Sequence, residues 1–341
     1  MKKKKIFMTG GAGFIGSHAC VEFLQNNYEV ALFDNFSNSF REVVKRIEYL
    51  SGKRLTVFEG DICDFDFLHT TLKEFAPDSV IHFAGLKSVV ESMDSPLLYY
   101  AVNVGGSLNV LRAMEKVGCK EIVFSSSASV YGSHAVPPFT ELTPAHPVSI
   151  YAKSKLNVER VLEECSQSLA IKVINLRYFN PAGAHPSGLL GENPKRPANN
   201  LMPNIIRSAL DRSRVVEVYG NDFCTSDGTG ERDFIHISDL AVGHLKALEA
   251  IDKIDSYQTV NLGAGRPVSV KSLIETFERV NNLKINYKVF GRRSGDVARS
   301  FADVTLAEKL LDFRCVKSVE DICIDSWNWI KNNPNGYVDE L

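Results

Sequence analysis

Residues 8–18, MTGGAGFIGSH, give the strongest indication of the fold of this chain. This stretch follows directly on a short run of β-favouring residues, and its glycines Gly10, Gly13 and Gly16 recur at every third position. Glycine is needed where a strand turns tightly into a helix and where a Cβ would collide with a phosphate resting on the free N–H groups of the helix start. Residues 11–16 also satisfy the pattern GxGxxG. The stretch therefore predicts a strand, a glycine loop and a helix whose N-terminus binds a phosphate, with a ligand-free glycine turn as the alternative.

The residue that ends the second predicted strand, Asp34, indicates which phosphate compound binds there. It lies eighteen positions after Gly16, where a carboxylate can bind both hydroxyls of an adenosine ribose and repel a 2′-phosphate. We therefore predict NAD as the cofactor, in preference to NADP. The motifs EGDI and FAGLKS end the third and fourth predicted strands, at the edge where open parallel sheets bind ligands. The candidate cofactor contacts from these strand ends are Gly10, Gly13, Phe14, Ile15, Gly16, Asp34, Asp61, Ile62, Phe83, Ala84, Gly85 and Lys87.

Short β-branched runs alternate with helix-length amphipathic segments as far as residue 177. The runs are IFMTG, YEVALFD, LTVFEGD, SVIHFAG, EIVFSSS and IKVINLRYF. This alternation predicts the α/β class, with a Rossmann-like doubly wound parallel sheet covered by helices on both faces. After Tyr178 the chain becomes rich in Asn, Pro and Gly and its predicted elements become shorter, which indicates a smaller mixed α/β lobe that binds the substrate. We expect residues 1–177 and parts of 230–265 to form the NAD-binding domain, and residues 178–230 and 265–341 to form the smaller lobe.

The segment SIYAKSKL, residues 149–156, places Tyr151 one helical turn before Lys155. A phenol, with a pKa near 10, cannot act as a base at neutral pH unless its ionised form is stabilised. A neighbouring ammonium group favours the phenolate, and an oxidised nicotinamide would add to this effect. The stretch FSSSASVYG ends the fifth predicted strand at the same sheet edge, so a serine hydroxyl can bond the reacting oxygen. A Tyr-x-x-x-Lys spacing alone is usually an ordinary helix start, but together with the glycine loop and the serines it predicts a catalytic site.

Composition and charge indicate which classes of molecule the protein is not expected to bind. The chain has 39 Lys and Arg against 41 Asp and Glu, so a nucleic-acid footprint is not expected, and the basic run at residues 2–5 is interpreted as a solvated end. We find no apolar run of the roughly 20 residues that a membrane span needs, and no signal-peptide pattern. The seven cysteines and eight histidines lack the CxxC and HExxH spacings of metal sites and are interpreted as buried thiols and ordinary histidines. We therefore expect a soluble, cytoplasmic protein without a metal, nucleic-acid or membrane partner.

The motifs GGAGFIGSH, SSSASVYG and YAKSK, together with Asp34 and Asn35, resemble the extended short-chain dehydrogenase/reductase family. The motifs LRYFNPAGAHPSG, NNLMP, GTGERDFIHISDLA, VNLGAG and RRSGD are similar to the UDP-glucose (UDP-galactose) 4-epimerases of that family, along nearly the whole chain. The resemblance implies a catalytic group of Ser127, Tyr151 and Lys155. It also implies further cofactor contacts at Asn35, Asn103, Tyr151, Lys155 and Tyr178. The implied substrate contacts are Lys87, Ser127, Tyr151, Phe179, Asn180, Asn200, Leu201, Tyr219, Arg232, Arg293, Asp296 and Ser300.

The resemblance also implies a mechanism. Bound NAD oxidises the C4 hydroxyl of the sugar while Tyr151 takes its proton, the 4-keto sugar turns in the pocket, and hydride returns to the opposite face. Such a scheme requires strong binding of the UDP group and weak contacts to the hexose. Arg232 and Arg293 suit the diphosphate, because a guanidinium group can bond two phosphate oxygens at once, although either could be a surface ion-pair residue.

One position indicates substrate range. In the family that this chain resembles, the residue four positions beyond the aspartate of RRxGD helps to line the sugar pocket, and many members restricted to plain hexoses carry tyrosine there, whereas this chain has Ser300. A serine leaves room for an N-acetyl group at C2, so we expect UDP-GlcNAc and UDP-GalNAc to be substrates besides UDP-Glc and UDP-Gal. The alternative is that serine is tolerated without widening the range.

Three other functions occur on the same fold, and the helices also favour one kind of assembly. A nucleotide-sugar 4,6-dehydratase needs an Asp-Glu pair after the motif hydroxyl, where this chain has Ala128 and Ser129, and a decarboxylase shares the same fold. A non-catalytic NAD-binding protein would not need Ser127, Tyr151 and Lys155 together. The predicted helices 95–117 and 150–168 carry apolar residues on more than one face, which favours a homodimer seam, although packing within one chain explains the pattern almost as well.

Overall fold

The computed structural model describes residues 3–195, 200–293 and 295–338. The strands are β1 (Lys5–Thr9), β2 (Glu29–Asp34), β3 (Thr56–Glu59), β4 (Ser79–His82), β5 (Glu121–Ser127), β6 (Lys172–Tyr178), β7 (Asn180–Ala182), β8 (Val216–Tyr219), β9 (Glu231–His236), β10 (Tyr257–Leu262), β11 (Pro267–Ser269), β12 (Tyr287–Phe290) and β13 (Arg299–Ser300). The α-helices are α1 (Phe14–Gln25), α2 (Glu42–Ser51), α3 (Phe65–Phe75), α4 (Val89–Asp94), α5 (Pro96–Tyr99), α6 (Gly106–Val117), α7 (Ile150–Ser168), α8 (Leu201–Leu210), α9 (Ile237–Glu249), α10 (Val270–Asn281), α11 (Thr305–Leu311) and α12 (Val319–Asn332). Short helical turns cover Tyr100–Gly105, Ala128–Tyr131 and Ile251–Lys253.

Seven strands form one parallel sheet in the order β10-β6-β5-β4-β1-β2-β3. The central strand β4 is buried along its whole length, because helices cover both faces of the sheet. One face packs against α1, α2 and α9, and the other against α3, α6 and α7. The predicted α/β class with a Rossmann-like doubly wound sheet is confirmed, and the carboxyl ends of all seven strands meet at one edge.

The second half of the chain contributes to this sheet and also builds smaller sheets. Helix α9 packs against α1, and β10 is the edge strand beside β6. Strands β7, β9, β11 and β13 form a separate four-stranded sheet, and β8 pairs with β12. A core beneath them is shared by α8, α10 and α12. The predicted division of residues 178–230 and 265–341 into one lobe stays a prediction.

The structure departs from the sequence in two places. The helix predicted over residues 95–117 is α5, a π-helical turn and α6 in succession, whereas the helix predicted over 150–168 is α7. The π-helical turn widens the helix where Asn103 enters the core and bonds to the loop after β4. The prediction of buried cysteines fails for Cys63 and Cys224, which are exposed because they lie in surface loops, although all seven thiols are free.

The described residues contain no helix with the length and apolarity that a bilayer span requires.

Candidate active site

The glycine loop between β1 and α1 is shaped by backbone contacts that leave no space for side chains. Gly10 has a φ of +69°, and a Cβ there would lie 2.6 Å from the backbone N of Ala84. A Cβ on Gly16 would lie 2.5 Å from the carbonyl oxygen of Gly10. Gly13 is the N-cap of α1 and has no side chain to bond the N–H groups of the first helical turn. The loop therefore offers an open cradle for an anion such as a pyrophosphate.

Asp34 lies at the end of β2, next to the glycine loop. Its carboxylate accepts hydrogen bonds from the N–H groups of Ala12 (3.0 Å) and Phe36 (2.9 Å) and from the hydroxyl of Ser39 (3.0 Å). Burial raises the pKa of Asp34, and these three hydrogen bonds oppose the rise. The carboxylate is thus fixed beside the N-terminus of α1, as a ribose-binding group needs to be.

The neighbouring strand ends are linked to each other. The amide of Asn35 donates to one carboxylate oxygen of Asp61 (2.8 Å), and the N–H of Cys63 donates to the other (2.8 Å). Burial opposes ionisation of Asp61, but these hydrogen bonds outweigh it and the pKa lies below its usual value. Ile62 is buried beneath this link, against Gly106 at the start of α6. The ends of β2 and β3 therefore present one continuous wall to the site.

The loop after β4 forms the floor of the site. Phe83 and Ala84 donate their N–H groups to Thr9, which holds the loop against the end of β1. Asn103 accepts from the N–H of Leu86 (2.7 Å) and donates to its carbonyl (3.1 Å), and it also donates to Ser154 of α7 (3.0 Å). A Cβ on Gly85 would lie 3.0 Å from Oδ1 of Asn103 and 3.8 Å from Nζ of Lys155. Lys87, further along, is half-exposed and pairs with Glu192 (2.8 Å).

The catalytic candidates Ser127, Tyr151 and Lys155 meet at the end of β5. Burial raises the pKa of Tyr151, and a hydrogen bond with the side chain of Ser127 lowers it in part. Nζ of Lys155 donates to the carbonyl of Ser125 (2.8 Å) and lies 4.9 Å from the ring centroid of Phe124. Burial lowers the pKa of Lys155 to about 8, so its ammonium group is retained only below that pH range.

The pKa of Tyr151 differs from the sequence expectation. Lys155 was expected to lower it, but the pKa-lowering contact comes from Ser127, because the ammonium group of Lys155 is directed at the carbonyl of Ser125. Burial is the larger influence and holds the phenol in its neutral form. Proton removal by Tyr151 therefore requires a further positive charge or a proton acceptor in the occupied site.

A buried network beneath these groups was missed by sequence reasoning. Arg177 of β6 donates to both carboxylate oxygens of Glu159 on α7 (3.0 and 2.6 Å), and the hydroxyl of Ser126 donates to the same carboxylate. The guanidinium group of Arg177 also stacks 4.9 Å above the ring of Tyr131. The signal that could have found it is the position of Glu159, one turn beyond Lys155 on the same helix face.

Tyr178, Phe179 and Asn180 follow the end of β6. Tyr178 is buried, its hydroxyl lies 2.5 Å from Nε2 of His244 on α9, and burial raises its pKa. Phe179 packs in a small apolar cluster with Ala128. Asn180 begins β7 and is exposed. His244 is a second residue that the sequence did not single out.

A second group of polar side chains comes from the smaller sheets and from the segment between β12 and β13. Arg232 of β9 donates to the carbonyls of Glu231 (2.9 Å) and Val297 (3.0 Å), and its guanidinium group lies 3.8 Å from Asp296. Arg293 donates to Asp296 (3.1 Å). The guanidinium carbon of Arg293 lies 4.5 Å above the ring of Tyr219. The structure thus brings together four of the predicted substrate contacts, Tyr219, Arg232, Arg293 and Asp296.

Ser300 joins the two groups. It pairs with Arg232 in the register of β13 and β9. Two residues later, Ala302 packs in the cluster that contains Phe179 and Ala128, the residue after the candidate catalytic Ser127. Asn200 and Leu201 lie at the start of α8, and within the described residues we find no hydrogen bond or ion pair that joins them to Arg232 or Arg293. Their predicted contact with the substrate stays a prediction.

Among the residues that the structure describes, no group of three or more His, Cys, Asp and Glu side chains is arranged to hold a metal ion.

Comparison with known proteins gives a consistent set of matches. Residues 6–263 match the model of the NAD dependent epimerase/dehydratase family. The UDP-glucose 4-epimerase of Erwinia amylovora is 44% identical over 333 residues, which is 97% of this chain and 99% of the relative. The crystal structure of the Stenotrophomonas maltophila UDP-glucose-4-epimerase, with bound NAD and formylated UDP-arabinopyranose, superposes with a TM-score of 0.94 at 40% identity and covers 96% of this chain and 98% of that chain. The Bifidobacterium longum UDP-glucose 4-epimerase, in complex with NAD+ and UDP, gives a TM-score of 0.92 at 40% identity, with 98% and 100% coverage.

Proposed function

The chain belongs to the NAD dependent epimerase/dehydratase family, and we propose that it is an NAD-dependent UDP-hexose 4-epimerase that interconverts UDP-glucose and UDP-galactose. The observation that carries the proposal is the convergence of Ser127, Tyr151 and Lys155 beside an open phosphate cradle. Full-length similarity to curated UDP-glucose 4-epimerases supports the substrate class.

NAD fits the residues at the sheet edge. The uncapped start of α1 at Gly13 would hold the pyrophosphate, and Asp34 would bind the adenosine ribose. The link between Asn35 and Asp61 would border the adenosine end. When bound, NAD supplies the acceptor and the donor of the hydride at C4 of the sugar, which this chain's side chains cannot supply.

The side chains of the chain carry the proton transfer. Tyr151 takes the proton of the C4 hydroxyl as hydride leaves C4, and it returns the proton when hydride comes back. Ser127 holds the reacting oxygen through its hydroxyl. Because the ammonium group of Lys155 bonds the carbonyl of Ser125, the further positive charge that Tyr151 needs would come from the oxidised nicotinamide, with Lys155 holding its own charge nearby.

We assign binding of the UDP part of the substrate to the second polar group, which consists of Tyr219, Arg232, Arg293 and Asp296. Arg232 and Arg293 can each bond two diphosphate oxygens, and Tyr219 lies beside Arg293 as a surface for the uracil. Asp296 holds Arg293 in place (3.1 Å). Because these contacts lie far along the substrate from C4, they hold the 4-keto intermediate while leaving the hexose free to turn.

The test is turnover without added cofactor. The purified protein is incubated with UDP-glucose carrying deuterium at C4, no NAD is added, and the epimers are separated. We expect UDP-galactose in which the deuterium is retained, because the hydride leaves and returns within one site. A Tyr151→Phe variant serves as the control and should lose turnover by about 10²–10⁴-fold. Loss of deuterium to water, or unchanged activity in the variant, contradicts the proposal.

We further propose that the acetylated sugars are substrates. Ser300 is partly exposed and pairs in the strand register with Arg232, so its small side chain borders the space between the diphosphate group and the catalytic serine. A Ser300→Tyr variant should lose UDP-GlcNAc turnover while retaining UDP-glucose turnover, and a Ser300→Ala variant should retain both. Equal loss of both activities in Ser300→Tyr contradicts the assignment of substrate range to this position.

The residues of the site do not support a 4,6-dehydratase or a non-catalytic NAD-binding protein. The 4,6-dehydratase chemistry needs an acid and a base after the motif hydroxyl, whereas Ala128 is apolar and Ser129 is hydrogen-bonded to Ser127 (2.9 Å). Formation of a 4-keto-6-deoxy sugar in the deuterium experiment would favour that reading. Binding of NAD without any turnover would favour a non-catalytic protein.

We also propose a cytoplasmic homodimer. Free thiols at all seven cysteines suit a reducing compartment. An apolar face on α4, α5 and α6 is exposed in the single chain and is formed by Val89, Val90, Met93, Leu97, Leu98 and Leu108. Large exposed apolar faces usually mark an interface, and a second copy of this chain is the partner that we propose. Light scattering coupled to size exclusion should give twice the chain mass.

A further inference from the structure

His244 on α9 has a defined tautomer. Its Nδ1 lies 2.8 Å from the carbonyl oxygen of Leu240, which can only accept, so Nδ1 carries the ring hydrogen. Burial lowers the pKa of His244 to about 4, so the ring is neutral at physiological pH and Nε2 has only a lone pair. Nε2 is 2.5 Å from the hydroxyl oxygen of Tyr178. The hydroxyl hydrogen of Tyr178 therefore points at His244.

Tyr178 belongs to the reacting end of the site, and His244 lies behind it. The phenol of Tyr178 is hydrogen-bonded to the side chain of Ser125, and an ionised Tyr151 would raise the pKa of Tyr178. The same Ser125 accepts the hydrogen bond of the Lys155 ammonium group through its carbonyl. The ring of His244 packs against Tyr178, with the ring centroids 5.2 Å apart.

His244 is also fixed by the floor of the site. Its ring centroid lies 4.8 Å from that of Phe83, the first residue after β4. Contacts to Phe83, Tyr178 and Leu240 hold the imidazole on three sides, so its Nε2 has one orientation. The residue is fully buried and has no path to substrate of its own.

We propose that His244 is a positioning residue for the reaction: by accepting the hydroxyl hydrogen of Tyr178, it turns that hydrogen away from the site, so that the Tyr178 oxygen can only accept hydrogen bonds there. An oxygen of this kind suits an amide N–H donor, such as the carboxamide of a nicotinamide. It also cannot donate to Tyr151, whose strength as a base such a bond would reduce. The inference rests on the proposed function, because it assumes that the nicotinamide end of NAD lies beside Tyr178.

The chain of hydrogen bonds is an orienting device and not a proton path. It runs from Tyr178 to Nε2 of His244 and from Nδ1 to the carbonyl of Leu240. A backbone carbonyl does not take up a proton at physiological pH, so the chain ends there. Substitution of His244 should therefore change how the nicotinamide end of NAD is bound and oriented. Tyr151 should remain available as the base.

The first test is spectroscopic and independent of turnover. Nitrogen resonances of ¹⁵N-histidine-labelled protein report the tautomer of His244, assigned by the loss of one signal set in His244→Gln. We expect a protonated Nδ1 and an accepting Nε2 that do not titrate between about pH 5 and about 8. In Tyr178→Phe the Nε2 resonance should shift, because its hydrogen-bond donor is gone. A protonated Nε2, or an unshifted resonance, overturns the inference.

The second test separates positioning from packing. His244→Leu removes the acceptor, whereas the side-chain oxygen of His244→Gln can replace it. We expect His244→Leu to lower kcat for UDP-glucose about tenfold, which corresponds to the loss of one hydrogen bond, with little change in KM because UDP is held elsewhere. His244→Gln should recover most of this loss. In the Tyr178→Phe background, His244→Leu should cost much less.

The outcomes distinguish the two levels of proposal. If the wild-type protein shows no epimerisation, the proposed function is wrong. The spectroscopic test of the His244 tautomer does not depend on that result. If wild-type turnover is present but His244→Leu and His244→Gln lose activity equally, or the loss is unchanged in Tyr178→Phe, the positioning role is wrong.

Discussion

The proposed base, Tyr151, lies in surroundings that oppose its ionisation. Burial raises the pKa of its phenol above the ordinary value, and the hydrogen bond with Ser127 offsets part of that rise. Because each pKa unit corresponds to about 1.4 kcal/mol, a single hydrogen bond to the phenolate changes the pH at which the base is available.

Removal of that hydrogen bond gives the first prediction. In Ser127→Ala the pKa of Tyr151 should rise further, so the acid limb of the kcat profile should move to higher pH, and kcat at neutral pH should fall about tenfold. The sign follows because the ionised phenol is the active form, and a higher pKa delays its appearance as pH rises. Ser129→Ala is the matched control, since Ser129 bonds Ser127 (2.9 Å) but not the phenol. An acid limb that stays in place would refute the role of Ser127.

Single residues were predictable from sequence where local spacing dictates their role. Gly10 and Gly16 follow from the tight turn, and Tyr151 from its distance to Lys155 along one helix. His244 could not be found in this way, because it meets Tyr178 from 66 residues away in the chain, and that contact depends on how α9 packs against the sheet. The orientation of Lys155 toward a backbone carbonyl likewise depends on side-chain packing that no motif encodes.

Helix α7 carries three functional groups on one face. Tyr151, Lys155 and Glu159 are spaced by four residues, and Glu159 is fixed by Arg177 from β6. The charge of Glu159 raises the pKa of Lys155 against the larger lowering by burial. The carboxylate of Glu159 therefore stabilises the charged form of Lys155 from within the same helix.

Neutralising Glu159 gives the second prediction. In Glu159→Gln the pKa of Lys155, about 8, should fall further, because the one opposing charge is removed. The ammonium group is then lost at lower pH, so the alkaline limb of the kcat profile should shift to lower pH. The change should also cost about 3 kcal/mol of stability, since Arg177 loses its ionic partner in a buried position. The profile is therefore recorded well below the melting temperature.

The control for this change lies on the same helix. Glu163→Gln removes an equal charge one turn further along, where the side chain is exposed. We expect its pH profile and its melting temperature to match those of the wild-type protein. Equal shifts of the alkaline limb in both variants would show that the effect of Glu159 is not specific to Lys155.

The packing of α1 against the glycine loop gives the third prediction. A Cβ on Gly16 would lie 2.5 Å from the Gly10 oxygen and 2.7 Å from Cα of Gly11, and these backbone atoms cannot move aside easily. Gly16→Ala should therefore lower the free energy of unfolding by about 1–3 kcal/mol and weaken retention of NAD. Gly291→Ala is the control, because nothing lies within 4 Å of the added methyl group. Equal melting temperatures for the two variants would contradict this account of the loop.

Elements were predictable where burial imposes a pattern. Most strands of the parallel sheet are buried on both faces, so they occur in the sequence as short apolar runs between amphipathic segments, whereas the edge strand β3 is largely exposed. The interrupted helix over residues 95–117 was not predictable, because its apolar periodicity continues through the π-helical turn. The turn is stabilised by the bonds of Asn103 to Leu86 and Ser154, which come from other elements.

Over the whole molecule, the two polar groups of the site come from different parts of the chain. The proposed catalytic group lies on β5 and α7, whereas Arg232 belongs to β9 and Arg293 lies in the segment between β12 and β13. Phe139 ties the two parts together, because it donates its N–H to the carbonyl of Phe301 (2.9 Å), next to Ser300. The fold class could be predicted from the alternation of elements, but this tie could not, since it joins two irregular segments.

The separation of the two groups gives the fourth prediction. Arg293→Ala should raise KM for UDP-glucose about 10- to 100-fold with little change in kcat, because a charged hydrogen bond to the diphosphate contributes equally to substrate and transition state. Arg292→Ala is the control: its side chain bonds Asp222 (2.7 Å) and stacks on Phe223, away from Asp296. Similar KM values for the two variants would remove Arg293 from the diphosphate site.

The exposed apolar face on α4, α5 and α6 gives the last prediction. Leu97 is 83% exposed in the single chain, and a charge at its place would be buried without a partner if a second copy covers the face. Leu97→Asp should therefore yield the mass of one chain by light scattering at concentrations where the wild-type protein gives two. Leu142→Asp is the matched control, because Leu142 is 93% exposed but lies in the loop before α7, outside that face. If both variants keep the wild-type mass, the partner copy does not sit on this face; if both become single chains, the assembly is broken by charge alone and the face is not its specific seam.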